Sequence, residues 1–100
     1  SLHRHFSCTP FVSKLFNLLT NDAYHHIISW DKDGTTVIVH DQEAFAKNIL
    51  PVVYTHSNLT SFVRQLHKYG FRKSSGEFLT FSHPRFLKGR VDLLPSLRRR

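Results

Sequence analysis

The chain has 100 residues, 40% of them hydrophobic and 13% aromatic, which is enough for one domain with a true core and too little for two. Fourteen Lys and Arg against seven Asp and Glu leave a formal charge of +7, a balance that favours an anionic partner. A single cysteine, Cys8, excludes an internal disulfide framework and a CxxC zinc site, and the apolar runs are too short and interrupted to cross a bilayer.

The charge is unevenly distributed. Residues 1–61 carry four basic and five acidic side chains, whereas residues 62–100 carry ten and two. In chain order, residues 1–10 read as an N-terminal arm and 11–100 as the folded domain. Thr9-Pro10 starts a helix, with Thr9 as N-cap and Pro10 in the first helical position, and Phe11, Leu15, Leu18 and Leu19 give it an apolar face. Ile27–Trp30 and Thr36–Val39 are strand-like runs joined by the turn Asp31-Lys32-Asp33-Gly34. Asp41 caps a second helix over Gln42–Leu50, which Pro51 ends or kinks.

A third helix covers about residues 58–69. Leu59, Phe62, Val63 and Leu66 form its apolar stripe, and Ser57 is its expected N-cap. Gly70 stops it. Phe71–Lys73 and Phe78–Phe81 then form a second hairpin around Ser74-Ser75-Gly76, and Phe86, Leu87, Leu93, Leu94 and Leu97 mark short helical pieces that pack back. Two adjacent helices followed by a hairpin fit a winged helix-turn-helix. The fold class is α+β, with a three-helix core and a small antiparallel sheet.

An amphipathic helix of this kind fits the major groove of DNA. Arg64 is its main candidate, because a guanidinium donates two parallel hydrogen bonds to O6 and N7 of guanine. Ser61 and Lys68 lie one turn to either side, on the same face. Arg72, Lys73 and Lys88 would supply charge to the phosphates, which sets register without reading sequence. The same pattern also describes a helix whose polar face is simply solvated, or one that docks on a protein partner.

The stretch from His56 to Lys73, HSNLTSFVRQLHKYGFRK, closely resembles the recognition-helix signature of the heat shock factor DNA-binding domain. Phe11–Leu15, Ile28–Trp30 with Asp33-Gly34, Phe45–Lys47, Leu50-Pro51, Phe86–Arg90 and Leu93-Leu94 resemble further segments of that family, in order. The resemblance implies a transcription factor domain of the nucleus that reads GAA-type triplets in double-stranded DNA and takes part in the stress response. It implies that Arg64 contacts the guanine, with Ser61 beside it and Thr60 in the base-reading set. Tyr69, Arg72 and Lys73 fall on family positions near the phosphates; Ser57, Lys68 and Lys88 complete the expected backbone-contacting set on their own residue types, with Lys68 equally able to reach a base or stay solvated. Family members usually trimerise through a downstream coiled coil, so further copies of the parent protein are expected partners. No membrane, cofactor or metal is expected.

The sequence departs from the family at several places. Val52 and Thr55 stand where lysines are usual, so some affinity for the backbone must come from elsewhere. His67 and Lys68 replace an asparagine and a hydrophobic residue, and the wing is short. Such divergence fits a fungal or protist relative of repressor type as well as a stress activator.

Other constellations are weaker. His3, His5 and Cys8 lack a fourth zinc ligand, and His25-His26 lie in a loop leading into the first strand. His56 and His67 are eleven residues apart, about three turns and roughly 16 Å along a helix, too far for concerted acid–base work, so no enzyme is expected. His56 reads instead as a turn residue that hydrogen-bonds the helix junction, and Trp30 and the phenylalanines as core. Arg98-Arg99-Arg100 fits part of a nuclear import signal and a solvated tail equally well.

Overall fold

The computed structural model describes residues 9–99. The arm with His3, His5 and Cys8, and the final Arg100, lie outside the described residues. Pro10 has no amide hydrogen to strand in a first helical turn, and helix α1 runs Pro10–Leu18, its first bond passing from the Ser13 amide to the Thr9 carbonyl (3.0 Å). It buries Val12, Leu15, Phe16 and Leu18. A 3-10 turn, Asp22–Tyr24, follows, with the Asn21 side chain accepting from the Ala23 amide.

Strands β1 (Ile28–Trp30) and β2 (Thr36–Val39) pair antiparallel. Asp31 organises their turn, since its carboxylate accepts from the amides of Thr35 and Thr36 at 3.1 and 3.3 Å. Gly34 closes the turn at φ 73° and accepts a 2.9 Å hydrogen bond from the Lys88 amide. A Cβ at Gly34 would lie 2.9 Å from that of Lys88. Gly34→Ala combines a left-handed backbone with that clash and is expected to destabilise the domain by about 1–3 kcal/mol. A lower denaturation midpoint at constant m-value would show it.

Helix α2 is longer than the proline predicts. Asp41 caps it, accepting from the Ala44 amide (3.0 Å), and the helix begins as one α-turn over Gln42–Ala44. It widens to π geometry over Phe45–Ile49 and returns to α over Leu50–Val53. Pro51 has no N–H to give, and its ring crowds the carbonyl four residues back. The widened turn precedes that obstruction and the helix continues past it.

The link to helix α3 (Leu59–Lys68) is tightly bonded. The Tyr54 hydroxyl donates to the Phe11 carbonyl (2.8 Å); burial, and secondarily Tyr69, push its pKa above the ordinary tyrosine range, so it remains a neutral donor. Thr55 adopts φ 63°, and His56 Nδ1 accepts from the Asn58 amide (3.1 Å). The cap of α3 is Asn58, whose side chain accepts from the Ser61 amide (3.1 Å), in place of the expected Ser57. An Asx side chain at this position reaches the third helical amide directly. The helix ends at Gly70 (φ 84°), whose amide bonds the His67 carbonyl while the Phe71 amide bonds that of Leu66, a Schellman closure.

Strands β3 (Arg72–Ser75) and β4 (Leu79–Ser82) complete a four-stranded antiparallel sheet in the order β1-β2-β4-β3. Ser74 and Ser75 belong to the strand, paired with Thr80 and Leu79, so the wing turn is Gly76-Glu77-Phe78 and not Ser74-Ser75-Gly76. With Leu79 and Phe81 pointing into the core, alternation forbids the same of Phe78. Phe78 is 41% exposed, its ring edge-on to His40 at 5.7 Å, which corrects the expectation that all the phenylalanines are core.

Ile28, Val37, Val39, Leu79 and Phe81 form the inner face of the sheet, buried together with side chains of the three helices. The tail packs back through Phe86, enclosed by Phe16, Trp30 and Phe71, and through Leu94 and Leu97 around a 3-10 turn at Val91–Ser96. The architecture is an α+β winged helix-turn-helix.

Candidate nucleic-acid interface

Helix α3 is held by Phe62 and Leu66, both fully buried, with Leu59 and Val63 half-buried beside them. At 100° per residue, that docking turns Thr60, Arg64, His67 and Lys68 outward, and all four are exposed. Ser61 and Gln65 lie on the flank of this stripe and are half-buried. The outward face thus carries Thr60 and Arg64 at its centre, with Ser61 one step to the side. Among the described residues the sole ion pair joins Arg90 and Asp92 (3.0 Å). The Arg64 guanidinium therefore points to solvent without a carboxylate partner.

Adjacent basic residues on β3 part company. Lys73 pairs with Phe81, a core residue, so its side chain leaves the sheet on the face that carries α3. It lines a 290 Å³ hollow together with Leu59, Thr60 and Val63 of α3, Gln42 of α2 and Leu79 of β4. Arg72 pairs with Ser82, which pairs with Thr36, and these three share the outer face. Arg72 accordingly lines a different hollow, with Thr35, Thr36, Ser82 and His83. Burial, and then the charge of Arg85, hold His83 below the ordinary histidine range.

The remaining expected contacts are scattered. Ser57 is exposed in the turn just before α3. Tyr69 caps the helix but is only 7% exposed, its ring stacked on Phe11 at 5.3 Å, so most of it belongs to the core. Lys88 stands over the β1–β2 turn at Gly34 and lines a third hollow with Leu19, Thr20, Asp22, His25 and Trp30, apart from α3. Two further residues, His67 and Gln42, join the α3 surface. His67 is three positions after Arg64 and was legible in the helical period. Gln42 comes from another helix, and nothing in the local sequence announces it.

The family model for HSF-type DNA-binding domains matches residues 11–100. This chain belongs to the HSF-type DNA-binding family. Among curated HSF-type relatives, heat stress transcription factor A-7b of Arabidopsis thaliana is 42% identical over 92% of the chain, B-2b of the same plant 44% over 92%, and human heat shock factor protein 4 41% over 90%. The chain spans 33%, 24% and 20% of those proteins respectively. Among solved structures, Chaetomium thermophilum Skn7 with SSRE DNA superposes with a TM-score of 0.88 at 39% identity, covering 92% of this chain and all of that one. Skn7 with HSE DNA gives 0.85 at 41%, over 91% of this chain and all of that one. A heat shock transcription factor/DNA complex gives 0.70 at 33%, over 77% and 96%.

Proposed function

We propose that this HSF-type domain binds double-stranded DNA sequence-specifically, with α3 in the major groove reading GAA-type repeats. The observation that carries the reading is the outward stripe of α3: Arg64 exposed and unpaired at its centre, on a helix anchored from behind by Phe62 and Leu66. Arg64 reads guanine, and Ser61 and Thr60 line the base edges beside it. Lys68, Lys73 and Ser57 hold phosphates, while Arg72, Tyr69 and Lys88 contribute less, given their faces and burial. The parent protein acts in the nucleus as a transcription factor. It joins further copies of itself through a segment outside this chain, a reading supported by the greater length of its relatives.

The test measures affinity for duplexes carrying inverted GAA repeats and for scrambled duplex at two salt concentrations. Tighter binding to the repeats, with a steep loss of affinity as salt rises, is the expected result. Equal affinity for both duplexes would overturn the reading. Lys73→Ala should weaken both duplexes alike, leave their ratio unchanged and reduce the salt slope by about one.

A further inference from the structure

We infer that the hollow between α2, α3 and β3 is a seat for one DNA backbone phosphate, and that Gln42 is a phosphate-contacting residue. The inference rests on the reading of α3 as the helix that enters the major groove. Three polar side chains from three separate elements converge on the 290 Å³ hollow: Gln42 at the start of α2, Thr60 in the first turn of α3 and Lys73 on β3. No hydrogen bond within the described residues engages the Gln42 amide, the Thr60 hydroxyl or the Lys73 ammonium. Each is exposed and free to donate. Leu59, Val63 and Leu79 form an apolar floor, which keeps the donors from being drawn inward by other polar groups.

The position of the seat follows from the helix. Thr60 precedes Arg64 by one turn, so the seat borders the reading face at its N-terminal end, where a strand that flanks the groove must pass. A phosphodiester there accepts from the Lys73 ammonium and from the neutral Gln42 amide at once, while Thr60, on the border, stays available to the base edges. The local charges also select the residue type. Asp41 and Glu43 flank Gln42 and are both exposed, so a third carboxylate would repel the backbone, whereas a neutral amide donates without adding to that field. Gln42 thereby supplies part of the backbone contact that Val52 and Thr55, neither of them cationic, do not.

Neutral and charged contacts leave different marks on salt dependence. Removing a cation reduces counterion release, while removing a neutral donor does not. Gln42→Ala is therefore expected to weaken binding to the GAA and scrambled duplexes alike, several-fold, with the salt slope unchanged. Gln42→Glu should weaken both further. Gln42→Lys should tighten both and steepen the slope by about one, a gain that no folding defect can imitate. Wild-type affinities for the three alanine, glutamate and lysine variants, or a change confined to the GAA duplex, would overturn the seat while leaving the reading of α3 intact. A wild-type chain that binds neither duplex would instead overturn the reading itself.

Discussion

Replacing Arg64 with alanine is expected to remove most of the preference for GAA repeats over scrambled duplex. A bidentate guanidinium–guanine pair discriminates by about 1–3 kcal/mol against a wrong base, so the affinity ratio should fall by roughly 5- to 150-fold. The side chain is exposed and has no carboxylate partner among the described residues, so its loss removes no ion pair, and the thermal midpoint should stay where it was. Arg64→Lys separates charge from geometry. It keeps the cation but not the fork, so affinity for scrambled duplex should persist while discrimination drops. An unchanged ratio in either variant would mean that Arg64 does not read a base.

Phe62→Ala is the opposite kind of change. Phe62 is fully buried, with ring neighbours Phe11, Phe45, Tyr54 and Phe81 at 5.7, 5.0, 5.8 and 5.9 Å. Truncating a buried phenylalanine costs about 3–5 kcal/mol, a large part of the 5–15 kcal/mol that holds a typical domain together. The melting temperature should fall steeply, and binding to both duplexes should decline together as folded protein is lost. Phe62→Leu leaves a smaller cavity and should lie between the two. A truncated variant that melts like the wild type would show that α3 is not anchored through this ring.

The local elements were legible because their signals are local. Thr9-Pro10 starts α1, Asp41 caps α2, Gly70 stops α3, and the spacing of Leu59, Phe62, Val63 and Leu66 fixes which side of α3 faces inward. Local signals do not suffice where a distant pairing decides. The wing turn moved to Gly76-Glu77-Phe78 because β4 fixes the register of β3, and the same register exposes Phe78. A run of two basic residues, Arg72-Lys73, reads as one patch until strand alternation sends the two to opposite faces. Gln42 and Thr60 are eighteen positions apart in sequence, and only the packing of α2 against α3 makes them neighbours.

The joint between those helices has a consequence for how the domain meets a duplex. Thr55 holds a left-handed backbone, at φ 63°, a conformation that costs a β-branched residue about 1–3 kcal/mol and survives only when its surroundings enforce it. Enforcement comes from both sides: Tyr54 is tied to Phe11, while His56 and Asn58 are bonded across the turn that leads into α3. The angle of α3 is thus set against resistance during folding, before any encounter. Association then has little backbone ordering left to do at this joint: the direction of the α3 axis is fixed in the free protein, and only exposed side chains on its outward face remain to be ordered.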